Sequence, residues 1–413
     1  MADQQVFAIV GASLTGAKAA EGLREAGFAG RIVLIGEETD RPYERPPLSK
    51  GYLLGTQPRE KAYVHEAQWY PEHDVELLLG VRATNLDAGR HTLTLDGYEP
   101  LRYDRLLLAT GSRVRRLDVP GTDLSGVRYL RTMQESDALL EHLRAATNVV
   151  IIGAGWIGLE TAAAARTHGA TVTVVEFDAA PLRTVLGDEV AGVFAALHRE
   201  QGVAFRFGAT VREFRGLGGQ LRSVVLNDGT ELPADVAIIA VGIQPNTELA
   251  VASGLAVDNG IAVDAGLRTS DPDIYACGDV ASVDHPMLGH RIRVEHWSNA
   301  LNGGLLAGQA LAGRPVTYDR VPYFFTDQYD LGMEYSGYAP PGGFDSVVWR
   351  GERESGEFIV FWVKDNRVLA GMNVNVWDVA EQIQALVRAG YAGTAVDPAR
   401  LADPRVPLTD LVS

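Results

Sequence analysis

The sequence predicts an α/β protein with two parallel-sheet units of one kind and a small α+β domain at its C-terminal end. Two glycine-punctuated stretches and a change of texture after residue 318 carry that expectation. In VVIIGAGWIGLE, residues 149–160, an apolar run without polar alternation reads as a buried parallel strand, which Gly153, Gly155 and Gly158 break before an Ala-rich helix. VFAIVGASLTG, residues 6–16, repeats the plan with Gly11, Ser13 and Gly16. Both units therefore read as Rossmann-like dinucleotide-binding folds.

Each glycine in the second unit has its own task. Gly153 allows the tight strand-to-helix turn, Gly155 lets a pyrophosphate approach the backbone, and Gly158 lets helix and strand pack closely. The helix N-terminus then offers unpaired N–H groups and a positive dipole end to phosphate. TVTVVE, residues 171–176, supplies the next strand, and Glu176 at its end can accept hydrogen bonds from an adenosine ribose. In the first unit RIVLIGEE, residues 31–38, places Glu37 likewise. Ser13 stands where a glycine is usual, and its small hydroxyl can still clear a pyrophosphate. Two such units imply two dinucleotides.

Composition narrows the function. A chain of 413 residues with 46% hydrophobic content has material for two or three domains. A formal charge of −16 argues against nucleic acid or an anionic membrane as partner. The sole cysteine, Cys277, leaves no internal disulfide or CxxC redox pair, and none of the nine histidines falls in a metal-binding pattern. No metal is expected. MADQQVFAIV has no basic region ahead of its apolar run, and no apolar stretch approaches the ~20 residues of a membrane span, so a cytoplasmic protein is expected.

Along the chain, RPYERPPLSKGYLLG, residues 41–55, is stiffened by three prolines into a rigid loop that ends in Ser49 and Lys50. Only four of the thirty-seven basic residues are lysine, so Lys50 suggests a need for a compact ammonium charge. Residues 75–111 read as an antiparallel ribbon and then the apolar strand of YDRLLLATG, ended by Thr110 and Gly111. GSRVRRLDVPG, residues 111–121, marks a boundary, and DEVAGVFAALHRE, 188–200, an amphipathic helix. DVAIIAVGIQPN, 235–246, closes the second unit, after which the chain returns to the first. IYACGDVA, 274–281, is a strand with a turn at Gly278 and a carboxylate, Asp279, suited to a flavin's ribityl hydroxyl. VEHWSNALNGGLLAGQAL, 294–311, reads as a helix capped by Ser298, whose dipole can stabilise negative charge on a ring. In the C-terminal part, Tyr323, Phe324 and Phe325 read as core rather than as a cofactor strip, followed by strands in FIVFWVKDNRVLAGMNV and a helix in DVAEQIQALVRAG.

The order GASLTG, RPPLSK, LLLATG, IIGAGWIGLE, VVE, YACGD, VEHWSNA and YFFTDQYD resembles the FAD-dependent, NADH-using ferredoxin reductases of bacterial cytochrome P450 and Rieske oxygenase systems. The resemblance covers nearly the whole chain, and RPPLSK, the Glu of GLE and FTDQYD are its specific parts. It implies a glutathione-reductase-like pair of domains, FAD in 1–118 and 243–318 and NAD in 119–242, with the C-terminal α+β domain at 319–413. FAD would then meet Gly11, Ser13, Gly16, Glu37 and Lys50, with Ala83 beside the adenine, Arg131 near the phosphates, and Thr110, Gly111, Gly278 and Asp279 along the chain. Trp297 would lie against the isoalloxazine. NADH would occupy Gly153, Gly155, Ile157 and Gly158, with Glu176 on its ribose and Gly242 completing the site. Lys50 would stand near flavin N5, ion-paired with Glu160. Chemistry supports that pair, because a buried lysine is costly without a carboxylate.

The activity implied is transfer of hydride from NADH to the flavin and of single electrons to a [2Fe–2S] ferredoxin, by a monomer or weak homodimer. Phe325 stands where relatives commonly carry tryptophan. Thiol reductases of the same fold need a cysteine in the ERPPLSK loop, which has none. Rubredoxin reductase, and an NADH-responsive scaffold resembling apoptosis-inducing factor, are the alternatives. An acidic ferredoxin needs a local basic patch, for which Arg291, Arg293, Arg314 and Arg320 are candidates, with solvated surface arginines as the plainer alternative.

Overall fold

The computed structural model describes residues 5–340 and 342–412. The first four residues of the N-terminal stretch read above, Pro341 and Ser413 lie outside the described residues. The chain divides into two compact units, the first made of Met1–Glu44, Glu60–Arg113 and Pro245–Phe324, the second of Arg45–Arg59, Val114–Gln244 and Phe325–Ser413.

Both units are built on the same five-stranded parallel sheet. In the first the order is Ile274–Ala276, Arg105–Leu108, Val6–Val10, Arg31–Gly36, Val75–Leu79. The second runs Val127–Arg128, Val236–Ile239, Asn148–Ile152, Thr171–Glu176, Ala204–Phe207. The glycine turn follows the central strand in each, which is why that strand is apolar on both faces. Val75–Leu79, expected in an antiparallel ribbon, is instead the parallel edge strand of the first sheet. The antiparallel ribbon starts later, with Ala83–Asp87, Thr92–Leu95 and Leu101–Arg102. Alternation alone does not separate a half-exposed edge of a parallel sheet from a ribbon.

In the first unit, helices Leu14–Glu25 and Trp297–Leu311 cross at backbone contact. A side-chain carbon on Gly22, Gly304 or Gly308 would lie 2.4, 2.6 or 2.3 Å from the carbonyl oxygens of Leu305, Thr15 and Ala19. The small residues of 294–311 thus serve helix crossing. The helix begins at Trp297 and is capped by His296, whose ring accepts from the Ser298 N–H at 3.4 Å. Ser298, expected as the cap, lies inside the first turn and accepts from Asn302.

The C-terminal segment forms a sheet in the order Tyr323–Gln328, Leu331–Gly337, Arg367–Val374, Glu357–Lys364, Ser346–Glu352, backed by helix Ala380–Tyr391. Asp365 and Asn366, both at positive φ, make the two-residue turn of its central hairpin. Trp362 is fully buried and donates its indole N–H to the Leu186 carbonyl at 3.1 Å. Tyr323, Phe324 and Phe325, expected as core, are only half-buried, whereas Thr326 and Gln328 on the same strand are buried.

Candidate functional site

The two glycine turns are built alike. Gly11 and Gly153 have φ of +122° and +100°, and a side-chain carbon on either would lie 2.0 or 2.4 Å from the carbonyl oxygen of Ala109 or Ala240. Only glycine meets both conditions. Gly16 and Gly158 press on the turn itself, 2.1 and 2.0 Å from the Gly11 and Gly153 carbonyl oxygens by the same measure. The middle position differs. Gly155 is the N-cap of helix Trp156–Thr167 at φ −77°, and a side-chain carbon there meets no heavy atom within 4 Å. Ser13 is the equivalent N-cap at φ −127°, with no side-chain capping bond. A serine is therefore unstrained at this position.

The acids at the strand ends are held differently. Glu176 accepts from the backbone N–H of Ala154 at 2.6 Å and of Asp178 at 2.8 Å, which fixes its carboxylate against the glycine turn. Ile157, in the first turn of the helix, is exposed. Gly242 takes φ +94° at the end of the neighbouring strand. Glu37 is exposed, with the Arg82 guanidinium 3.7 Å away.

The remaining residues of the first unit line its own turns. The Thr110 hydroxyl donates to the Asn246 carbonyl and the Asn246 amide donates to the Thr110 carbonyl, each at 2.8 Å, while Gly111 sits at φ +63°. Gly278, at φ +78°, leaves room for Thr15: a side-chain carbon there would lie 2.5 Å from its hydroxyl. Half-buried Asp279 follows, its carbonyl taking a hydrogen bond from Arg293 at 3.2 Å. Ala83 opens strand Ala83–Asp87 and packs against the core. Trp297 is half-buried, and the Glu44 carboxyl is pushed up by burial and held back by the Trp297 indole and by Lys18. Arg131 belongs to the second unit, where its N–H donates to Glu135 and its carbonyl accepts from Arg45.

The second unit also holds a buried polar cluster around Glu160. Pro46–Ser49 is a single 3₁₀ turn that delivers Ser49 and Lys50 to helix Trp156–Thr167. The Lys50 ammonium lies 2.7 Å from Glu160 Oε1, and Ser49 donates to Glu160 Oε2 at 2.5 Å. Thr326 adds a third donor at 2.6 Å. Glu160 is only 4% exposed, so its charge is met by three donors rather than by water. The Phe325 ring lies 5.5 Å from the ammonium, within reach of a cation–π contact. Behind Thr326 stand Gln328 and His198, both buried.

Sequence reasoning missed Ser49, Thr326, Gln328 and His198 as site residues. One signal is present, His198 on the apolar face of its helix with Val190, Ala191, Phe194 and Ala195, whereas Thr326 and Gln328 sit in a polar run with Asp327. Of the arginines expected to meet a partner, Arg291 donates to the Val263 and Ser282 carbonyls and Arg293 to Asp279 and Glu295, so both are spent inside the fold. Arg314 and Arg320 are exposed. Among the described residues, no group of three or more His, Cys, Asp or Glu is placed to hold a metal, and no helix is long and apolar enough to cross a membrane.

The profile of the pyridine nucleotide-disulphide oxidoreductases matches residues 6–304, and that of the reductase C-terminal domain matches residues 323–412. The chain belongs to this family. It is 39% identical to rhodocoxin reductase of Rhodococcus erythropolis over 89% of this chain and 86% of the relative. Identity is also 39% with the anthranilate 1,2-dioxygenase system ferredoxin–NAD(+) reductase component of Burkholderia cepacia, over 97% and 98%. Among solved structures, the covalent putidaredoxin reductase–putidaredoxin complex contains a chain 35% identical to this one, with a TM-score of 0.93 over 99% of this chain and 98% of that one. The fold is thus the two-domain FAD and NAD oxidoreductase with its C-terminal domain. The family binds FAD and NAD(H), and the tight glycine turn in each unit, with an acid at the next strand end, fits one dinucleotide apiece. This member lacks the disulphide of the family's name. Its one cysteine is buried against Gly303, and burial pushes the thiol up to about 12, so it serves as packing.

Proposed function

We propose that the protein is an FAD-containing NADH:ferredoxin reductase that delivers electrons to a [2Fe–2S] ferredoxin feeding a cytochrome P450 or Rieske oxygenase. The observation that carries this reading is the Lys50–Glu160 pair in a chain with two dinucleotide turns and no dithiol. The names of the relatives support it, one being the reductase component of a dioxygenase system and another a reductase joined to its redox partner. A cytoplasmic location goes with it, because NADH is the donor.

FAD held in the first unit would supply the chemistry, acceptance of a hydride from NADH and release of single electrons to the partner. The chain's residues do the rest. Gly11, Ser13 and Gly16 admit the FAD pyrophosphate, with Glu37 on the ribose and Ala83, Thr110, Gly111, Arg131, Gly278, Asp279 and Trp297 about the remainder. Gly153, Gly155, Ile157, Gly158 and Gly242 seat NADH, and Glu176 accepts from its ribose hydroxyls. Lys50, held by Glu160, supplies the fixed positive charge that favours arrival of the hydride's electron pair. The Phe325 ring faces that ammonium at 5.5 Å.

NADH-driven cytochrome c reduction, assayed with a [2Fe–2S] ferredoxin, with rubredoxin and with neither, tests the reading. Turnover that depends on the ferredoxin is expected. Equal turnover with rubredoxin, or slow reduction accompanied by a change in oligomeric state, would replace it with the rubredoxin reductase or the scaffold reading.

A further inference from the structure

The buried polar groups behind Glu160 form a chain with one direction. His198 Nε2 lies 2.8 Å from Gln328 Oε1, Gln328 Nε2 lies 3.2 Å from Thr326 Oγ1, and Thr326 Oγ1 lies 2.6 Å from Glu160 Oε1. An amide oxygen only accepts, so His198 must donate through Nε2. An amide nitrogen only donates, so the Thr326 oxygen is occupied as an acceptor and its own hydrogen points at Glu160. Tyr329 closes the far end, its hydroxyl 3.5 Å from His198 Nδ1, the nitrogen left to accept. Every donation therefore runs towards the carboxylate. His198, Thr326, Gln328 and Glu160 are each at most 4% exposed, so no water competes for these bonds.

The geometry points to Thr326, Gln328 and His198 as positioning residues that hold the Glu160 carboxylate, and through it the Lys50 ammonium, in one orientation. Aligned neighbours polarise one another, so each bond in such a chain strengthens the next. The chain ties Lys50 to helix Asp188–Glu200 and to the first strand of the C-terminal sheet. A loop lysine, free to turn about four torsions, becomes a charge fixed from three elements of the fold. This inference rests on the assignment of Lys50 to the hydride step.

Thr326→Val keeps the shape and removes the last donor, and Thr326→Ser restores it. Gln328→Glu is near-isosteric, and read at a pH high enough to ionise it, the new carboxylate has no hydrogen for Thr326 and competes with Glu160 for that hydroxyl. Reductive methylation of the holoenzyme, read peptide by peptide, follows Lys50 against the other three lysines, Lys18, Lys61 and Lys364. Lys50 labelling is expected to rise about tenfold in Thr326→Val and in Gln328→Glu, as for loss of one hydrogen bond to a charged group, and to return in Thr326→Ser. NADH-dependent flavin reduction should slow in the same two variants. Unchanged Lys50 labelling in both overturns the positioning role. Raised labelling with an unchanged reduction rate upholds it and overturns instead the part given to Lys50 in hydride transfer.

Discussion

A side-chain carbon on Gly158 would lie 2.0 Å from the carbonyl oxygen of Gly153, whereas one on Gly155, between them in sequence, would touch nothing. Gly158→Ala is therefore expected to cost about 1–3 kcal/mol of stability through overpacking. Gly155→Ala should lose no more than about 1 kcal/mol, as a poorer N-cap, yet bind NADH much more weakly. Denaturant unfolding and NADH titration of the two variants separate fold from ligand. Equal stability losses would refute the distinction.

The Lys50–Glu160 pair is mostly buried, so breaking it from one side strands a charge. Lys50→Met should destabilise by about 3–5 kcal/mol, and adding Glu160→Gln should recover much of that loss. A double-mutant cycle by urea unfolding measures the coupling. Both single variants are expected to reduce their flavin more slowly with NADH in anaerobic stopped flow.

Glu176 is locked by two backbone N–H groups, and in the function proposed above its carboxylate meets the NADH ribose. NADH should be used in preference to NADPH, since a carboxylate accepts from a 2′-hydroxyl and repels a 2′-phosphate. Glu176→Gln is expected to narrow that preference by about tenfold in kcat/KM, or ~1.4 kcal/mol. Equal use of the two donors by the unaltered protein would contradict it.

Burial holds the His198 imidazole below its ordinary pKa, against the smaller opposing effect of Gln328. The unfolded chain then binds the proton more readily, so this contribution to stability is complete above the unfolded value of about 6.5 and is lost as pH falls from there towards the depressed folded pKa. His65, also lowered by burial and by Lys18, acts in the same direction. Melting temperature should fall with pH below about 6.5, and His198→Gln should make that fall shallower. Each histidine accounts for at most about 1.4 kcal/mol per pH unit.

Cys277 is buried and its thiol is pushed up to about 12. Alkylation by iodoacetamide at pH 8 should not occur in the native protein and should reach one equivalent on unfolding. Rapid native labelling would show that the segment opens.

The two glycine turns were legible because their demands are local: a positive φ, a close carbonyl and an N-cap all fall within six residues. The strand order was not, since Val75–Leu79 carries the same alternation at a parallel edge as in a ribbon. Ser298 is a good cap by composition, but the helix starts at Trp297, so His296 is the cap and its ring takes the Ser298 N–H. Arg291 and Arg293 look like surface charge in sequence and are consumed by carbonyls that only the fold brings near. The chain behind Glu160 joins residues from four separate stretches. No spacing rule connects Lys50, Glu160, His198 and Thr326, and the polar run Thr326-Asp327-Gln328 hides which of its members face inward.

The sheet of the first unit places Ile274–Ala276 beside Arg105–Leu108, with the whole glycine turn of the second unit falling between them in sequence. During synthesis, the edge of Arg105–Leu108 is therefore extruded well before its neighbour exists. At 5–20 residues per second the delay is on the order of ten to thirty seconds. For that interval the nascent first unit presents an unpaired apolar strand, a site for chaperones or for wrong pairing. The second unit can form its own parallel sheet meanwhile, so the nucleotide turn that is translated first belongs to the sheet that is completed later.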